Sequence, residues 1–195
     1  MKMLIGCESS GIVRDAFIAR GHNAVSCDLL ECERPGLHIR GDVLDHIRDG
    51  WDCGIFFPPC THLAVSGALY FARKREAQQA AIDFVLALAN APIDKIAIEN
   101  PIGVLSTRWR KPDQIIQPYN FGEDASKRTC LWLKNLLPLV RTKYIAPRLV
   151  NGKPRWANQT DGGQNRLGPS PTRAADRART YNGIAQAMAQ QWSSR

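Results

Sequence analysis

The sequence has no uninterrupted apolar run of the roughly 18 residues that a membrane-spanning helix needs, so we expect no membrane span. The first residues, MKMLIGCESS, also lack a long apolar segment with a small-residue cleavage site, so we expect no secretory signal. The six cysteines show no paired spacing, and a chain of 195 residues does not need disulfides to fold. Together these absences predict a cytoplasmic protein with reduced thiols.

The sequence also lacks the second pair of ligands that would complete a zinc site. Cys27 and Cys32 lie near His22 and His38 in the sequence, but neither a further CxxC pair nor an HxxxH pair accompanies them. We therefore expect no bound metal.

Acidic residues are scarce relative to basic ones. The chain has 18 aspartates and glutamates against 26 lysines and arginines, which gives a net charge of +8. A positive surplus of this kind favours an anionic partner, most often nucleic acid, although a basic surface can also serve solubility alone.

What the sequence does contain is an alternation of short apolar runs with helical patterns. Strands are predicted for the runs KMLIGCE, HNAVSCDLL, WDCGIFFPPC, DKIAIENP and RTCLWLKNL, the last of them a strand or an edge strand. Helices are predicted over 11–21 and 71–92. This alternation predicts an α/β fold with a mostly parallel sheet. We expect one domain over residues 1–195, with a basic irregular insertion at about 143–179 and a C-terminal helix at about 180–192 that returns to the core.

A candidate cofactor site follows the first predicted strand, in the segment GCESSG. Gly6 and Gly11 allow a ligand to approach the backbone closely, and the next helix offers free N–H groups to an anion. Asp28 ends the second strand 20 residues after Glu8, a spacing that suits a carboxylate binding ribose hydroxyls. Asp42 is placed to hold an adenine amino group. The loop predicts a nucleoside-bearing cofactor, but it is equally typical of a tight turn with helix-capping serines.

A cysteine follows two prolines where another apolar strand ends, in GIFFPPCTHL. Pro58 and Pro59 stiffen the approach to Cys60, whose thiolate is a nucleophile if a cation or a helix N-terminus lowers its pKa. Glu99 leaves a later apolar strand, where a carboxylate is either paired or functional because burial without a partner is costly. A thiolate, a carboxylate and a methyl donor suit methylation of cytosine C5. Each residue alone is also typical of a buried thiol or a strand-end ion pair.

These motifs resemble those of the DNA cytosine-5 methyltransferases. PPCTHLAVSG resembles the Pro-Cys nucleophile motif of that family, and IENP resembles its Glu-Asn motif. LIGCESSGIVRDAFIARGHNAVSCDL resembles its S-adenosylmethionine loop, helix and ribose-binding acid, GDV its adenine-contacting turn, and TYNGIAQAMAQQW its C-terminal motif. The resemblance covers most of residues 1–135 and 180–192, and the whole chain is similar to the short family members of phages and prophages.

The resemblance implies a Rossmann-like, S-adenosylmethionine-dependent methyltransferase fold, with helices on both faces of the sheet, and DNA as the partner. Cys60 would be the nucleophile and Glu99 the acid at cytosine N3, while Asn100 would brace the site. Arg128 or Lys127 would stand in for the Arg-x-Arg motif of the family. The residues that would form the S-adenosylmethionine pocket are Gly6, Glu8, Ser10, Gly11, Asp28, Asp42 and Pro58, the last of which would also set the cysteine loop.

The sequence departs from the family pattern in three places. CESSG replaces Phe-x-Gly-x-Gly, the chain is too short for a large target-recognition domain, and His62 follows Cys60 by two residues. Cations and aromatics within 143–179, including Tyr144 and Trp156, are candidate contacts for phosphates and bases or simply a solvated loop. Duplex DNA, single-stranded nucleic acid and a free cytosine nucleotide remain alternative substrates. Two other functions also fit: a different base-modifying enzyme on the same scaffold, and a non-catalytic nucleic-acid-binding protein.

Overall fold

A computed structural model describes residues 1–64, 75–170 and 172–193. The strands in these ranges are β1 (Lys2–Gly6), β2 (Asn23–Asp28), β3 (His38–Arg40), β4 (Cys53–Phe56), β5 (Lys95–Pro101), β6 (Gln114–Ile116), β7 (Thr129–Lys134), β8 (Arg148–Val150) and β9 (Lys153–Arg155). The α-helices are α1 (Ile12–Ile18), α2 (Arg75–Ala89), α3 (Leu105–Arg108), α4 (Arg173–Ala178) and α5 (Asn182–Gln191). No helix in the described ranges is long and apolar enough to cross a membrane.

Seven strands form one sheet in the order β3-β2-β1-β4-β5-β7-β6. Neighbouring strands pair in parallel from β3 through β5, whereas β7 runs antiparallel to both β5 and β6. Strand order therefore reverses between β1 and β4, which is where open α/β sheets bind ligands, beyond the carboxyl ends of the strands. The predicted Rossmann-like α/β fold with a mostly parallel sheet is confirmed.

Both faces of the sheet are covered, because its central strands are apolar on both sides. On one face the core includes Met3 and Ile5 of β1, Phe17 of α1 and Met188 of α5. On the other face α2 packs against the sheet, in a core whose buried members include Leu4, Phe56, Val85, Leu88 and Trp132.

Two short strands of the seven-stranded sheet, β3 and β6, were not predicted from the sequence. β3 and β6 are three residues long and only partly buried, so they carry little periodic signal. β7, predicted as a strand or an edge strand, lies inside the sheet between β5 and β6. The predicted start of the long helix at Phe71 lies outside the described residues.

The basic segment 143–179 contains regular structure as well as loops. β8 and β9 form an antiparallel hairpin, and α4 follows it. Trp156 is only 9% exposed and stacks on Tyr119 with ring centroids 4.2 Å apart, so it packs internally, whereas Tyr144 is 50% exposed. Helix α5 packs on the same face of the sheet as α1. The extent of the domain, 1–195, stays a prediction.

Candidate active site

A cavity of about 440 Å³ lies at the carboxyl ends of β1, β2, β3 and β4. Two acids predicted to bind the cofactor, Asp28 at the end of β2 and Asp42 after β3, are among its lining residues. Helix α2 contributes Ala81 and Phe84 to the wall. The cavity thus combines two carboxylates with apolar surface at the position where the strand order reverses.

Each of the two acids uses one carboxylate oxygen to organise its own turn. Asp28 Oδ1 accepts a hydrogen bond from Leu30 N at 2.9 Å, and Asp42 Oδ1 accepts one from Leu44 N at 2.9 Å. Within the described residues, the second oxygen of each carboxylate has no hydrogen-bond donor. Each acid is therefore fixed in place and keeps an acceptor for a hydroxyl or amino group of a ligand.

Glu8 and Ser10, which were also predicted to bind the cofactor, form the cap of α1. Glu8 Oε1 accepts from Ser10 Oγ at 2.8 Å and from Val13 N at 2.9 Å. Burial raises the pKa of the Glu8 carboxyl, while these hydrogen bonds lower it. Gly11 begins the helix with φ +70°, a left-handed conformation that glycine adopts without strain. Within the described residues neither Glu8 nor Ser10 lines the cavity, so the two residues shape the first loop from outside the cavity wall.

Gly6 is predicted to let a ligand approach the loop, and its lack of a side chain also leaves room for core residues. A Cβ atom at Gly6 would lie 2.6 Å from the ring of Phe56 and 2.6 Å from Val43, a cavity residue. The absence of a side chain at Gly6 therefore allows β1 and the cavity wall to pack closely.

Two thiols in the cavity wall were not assigned a role from the sequence. Cys7 follows β1 with φ +57°, and Cys27 lies at the end of β2. Burial, followed by the negative charge of Asp28, raises the pKa of both thiols, that of Cys27 to about 11. Both are neutral near pH 7, so they contribute polarisable apolar surface. Cys7 follows Gly6 and Cys27 precedes Asp28 in the sequence, and these neighbours were the signal that could have placed both thiols at the cofactor site.

The predicted nucleophile, Cys60, is exposed in a turn that borders the cavity. Its carbonyl oxygen accepts from Leu63 N and Ala64 N, each at 3.0 Å. Among the described residues, Pro59, Thr61 and His62 line the cavity, but Cys60 itself does not. The cysteine therefore lies next to the cavity wall, and His62 faces the predicted cofactor site.

A buried hydrogen bond joins the cysteine loop to the end of β5. Asn100 is 1% exposed, and its Nδ2 donates to the carbonyl oxygen of Pro58 at 2.8 Å. Its Oδ1 is buried with no hydrogen-bond partner among the described residues. The end of β5, next to Glu99, thus braces the loop before Cys60, through the main chain of Pro58 and not through a cofactor contact.

Glu99 is half-buried near the carboxyl end of β5. Burial raises the pKa of its carboxyl, whereas the positive charge of Lys127 lowers it. Arg128 is exposed, and its charge acts instead on Cys130. Strand alternation puts Glu99 on the α1 and α5 side of the sheet with Ala97, and the described cavity lining does not include it. Cys60 thus borders the cavity, whereas Glu99 lies at the same sheet edge on the α1 and α5 side, and α2 walls the cavity on the other side.

Comparison with known proteins returns little. No protein-family model matches the chain, and no curated protein matches it. One similar solved structure is described as that of a candidate DNA modification methyltransferase encoded within a prophage of E. coli. It is 13% identical with a TM-score of 0.46, and the match covers 68% of this chain and 46% of that one, less than half of the solved chain. At that similarity the solved structure supports no statement about this protein, and the fold is assigned from the strand order alone.

Proposed function

We propose that this protein transfers a methyl group from S-adenosylmethionine to C5 of cytosine in DNA. The observation that carries the proposal is the buried hydrogen bond from Asn100 Nδ2 to the Pro58 carbonyl oxygen. It ties the end of β5, next to Glu99, to the loop before Cys60, at the carboxyl ends of the neighbouring strands β4 and β5. A thiol and a carboxyl group held at one sheet edge are the two groups that the chemistry needs.

The cavity residues suit S-adenosylmethionine, which supplies an activated methyl group when it is bound. Asp28 would accept hydrogen bonds from ribose hydroxyls, and Asp42 would accept one from the adenine amino group. Negative charge also suits a cationic ligand, and the 440 Å³ volume is of the size that small-molecule sites have. Because Pro59 and Thr61 belong to the cavity wall, a ligand there lies beside Cys60.

The proposed reaction begins with nucleophilic addition, because cytosine C5 is a poor nucleophile until C6 is attacked. The Cys60 thiolate forms a bond to C6 while Glu99 donates a proton to N3, which makes C5 enamine-like. The raised pKa of Glu99 favours the protonated carboxyl that this step requires. After C5 has taken the methyl group, a water molecule removes the C5 proton and the thiolate leaves C6, while N3 returns its proton to the Glu99 carboxylate. The ring is restored, and Cys60 and the protonated Glu99 are regenerated.

A cytosine within duplex DNA must leave the base stack before Cys60 can reach C6, at a cost of a few kcal/mol. Cys60 is exposed and so is open to an extruded base. The same exposure serves single-stranded DNA, which does not carry the cost of unpairing. We therefore expect single-stranded oligonucleotides to react at least as fast as duplexes of the same sequence.

Covalent trapping tests the proposal. With 5-fluorocytosine in an oligonucleotide and S-adenosylmethionine present, the fluorine at C5 cannot leave as a proton, so the Cys60 adduct should survive denaturing electrophoresis. Cys60→Ser should form none, and Glu99→Gln should form it about 100-fold more slowly, the scale of general-acid catalysis. Cys32→Ser, which changes a thiol outside the site, is the matched control and should react normally. Adduct formation by Cys60→Ser protein would disprove the mechanism.

Two observations favour a second candidate, a base-modifying or nucleotide-modifying enzyme with a different cofactor. Glu8 and Ser10 bind each other in the cap of α1, and two neutral thiols line the cavity in the region that the family resemblance assigns to cofactor contacts. Titration calorimetry separates the candidates. Absence of heat with S-adenosylmethionine, together with an unchanged Tm, would favour the second enzyme.

A further inference from the structure

A basic cluster lies on the β8–β9 hairpin and the loop that follows it. Between Arg148 and Leu167 the sequence has four cationic residues and a single acidic one, Asp161. Arg148 and Arg155 stand directly opposite each other in the hairpin. Like charges in that position destabilise an antiparallel pair, so an anion beside them would stabilise the hairpin.

Main-chain carbonyl groups hold three guanidinium groups of this cluster in place. The carbonyl oxygen of Gln159 accepts from Arg148 Nη2 at 3.0 Å and from Arg166 Nε at 2.9 Å. Arg155 Nε donates to the carbonyl oxygen of Asp161 at 3.0 Å. A guanidinium has five N–H donors, and each of these uses two or fewer within the described residues. Each therefore keeps donors for an external acceptor, in a group that is already held in position.

The cluster remains positively charged after its internal pairing. The Asp161 carboxylate forms an ion pair with Arg148 at 2.7 Å, and its side chain is 72% exposed to solvent. Within the described part of the chain, no second carboxylate forms an ion pair with Arg148, Arg155 or Arg166. Phosphate oxygens match the planar fork of a guanidinium, so a phosphodiester is the acceptor that this cluster fits.

The loop that carries the cluster is fixed to the same sheet edge as the candidate catalytic groups. Asn158 Oδ1 accepts from Ser126 N at 2.9 Å, and Asn158 Nδ2 donates to Ser126 O at 2.9 Å. Ser126 precedes Lys127, whose charge lowers the pKa of Glu99. β7 then begins at Thr129, paired with the last residue of β5. A strand bound by the cluster would therefore run along the edge where Cys60 is exposed.

We propose that Arg148, Arg155 and Arg166 form a phosphate-binding cluster that holds the sugar–phosphate backbone of a nucleic acid beside the active site. The proposal rests on the proposed function, because it assigns a second contact to the substrate of that reaction. An anionic membrane is the less suitable partner, since membrane surfaces are bound by amphipathic helices with a broad apolar face, and the cluster lies on strands three residues long. This contact holds the sugar–phosphate backbone without reading the base sequence.

Binding to a short labelled duplex, measured by fluorescence anisotropy without cofactor between about 50 and 200 mM salt, tests the cluster. Arg155→Gln/Arg166→Gln should bind about tenfold more weakly at 100 mM salt, and the slope of log affinity against log salt should fall by about 2, close to one per lost phosphate contact. The control is Arg20→Gln/Arg48→Gln, which removes two exposed charges near the amino ends of β2 and β4. These strand ends lie at the sheet edge opposite the cavity. Its affinity should fall much less, because salt screens charges beyond about 10 Å.

A charge-conserving variant separates phosphate binding from the hydrogen bonds that Arg155 and Arg166 donate to main-chain carbonyl groups. Arg155→Lys/Arg166→Lys keeps both charges and should keep the salt slope of the wild type. Three results would overturn the proposal: equal losses in the cluster and control variants, loss of the slope in the lysine variant, or tighter wild-type binding to phosphatidylserine vesicles than to the duplex. Cluster-dependent binding without a 5-fluorocytosine adduct would reject the proposed reaction alone. An adduct with no effect of the cluster would reject the cluster alone.

Discussion

Arg14 is a charged residue with no exposed surface, and its partners explain how the core accepts it. Its guanidinium donates to Ser26 Oγ at 3.2 Å, to the carbonyl oxygen of Pro35 at 2.8 Å, and to the Asp15 carboxylate at 2.7 Å. A buried charge is tolerated when it is paired and hydrogen-bonded in this way. Through these bonds α1 holds the loop after β2, and that loop begins at the cavity residue Asp28.

Glu99 is the residue whose titration should be visible in stability. Burial raises its folded-state pKa above the ordinary 4.5, so the folded protein binds this proton more tightly than the unfolded chain does. The free energy of unfolding should therefore fall as pH rises from about 4.5 through the raised pKa. Glu99→Gln cannot titrate, so its stability relative to the wild type should increase across that range, as measured by urea unfolding.

The control for this experiment is Glu76→Gln, at an exposed position on α2. Its pH profile should run parallel to that of the wild type. Parallel profiles for Glu99→Gln as well would show that burial does not control the titration of Glu99.

At the scale of elements, the cysteine loop is held by close backbone packing against the segment after β5. Val104 N donates to the carbonyl oxygen of Leu63 at 2.9 Å, and Gly103 forms an isolated bridge with Ala64. A Cβ atom at Gly103 would lie 1.9 Å from the Leu63 carbonyl oxygen. Only glycine permits this approach, so the position of Cys60 depends on a residue outside both recognised motifs.

Gly103→Ala should therefore displace the Cys60 turn while leaving the sheet in place. We expect trapping on 5-fluorocytosine to slow by about 100-fold, the usual penalty for a displacement of about 1 Å in a catalytic group. The matched control is Gly168→Ala, where an added Cβ meets no atom within 4 Å, and it should react like the wild type. Similar rates for the two variants would mean that the turn does not depend on this packing.

At the scale of the whole molecule, helix α5 packs into the same core as β1 and α1. Met188 and Ala185 of α5 are fully buried in one cluster with Met3 of β1 and Phe17 of α1. Gly183 lets this helix approach, because a Cβ there would lie 1.8 Å from the Phe121 carbonyl oxygen. Segment 143–179 thus lies in the chain between residues that share one core cluster.

Met188→Ala should destabilise the whole molecule, because it leaves a cavity in the core that joins the two ends of the chain. The expected loss is about 2–5 kcal/mol in the free energy of unfolding. Chemical denaturation followed by circular dichroism measures it. Leu137→Ala, at a position that is 80% exposed, is the control and should change stability by about 0.5 kcal/mol or less. A comparable loss in the two variants would contradict a core role for α5.

The sequence by itself determined the class of fold and the chemistry available at the sheet edge. Apolar runs such as those of β1 and β4 alternate with helical patterns, and local periodicity is enough to predict a parallel sheet. Strand ends that share an edge then bring Asp28, Asp42, Cys60 and Glu99 to one side of the molecule. The short strands β3 and β6 were missed, because three residues carry too little pattern.

Only the tertiary structure decided which of these polar groups are free. Glu8 and Ser10 have the residue types of a cofactor site, yet their hydrogen bonds close the cap of α1. Arg148 and Arg155 are 7 positions apart in the sequence and become opposite neighbours only when the hairpin forms. A polar side chain has several possible partners along the chain, and the folded backbone decides which of them it meets. Residue type and spacing alone do not specify that conformation.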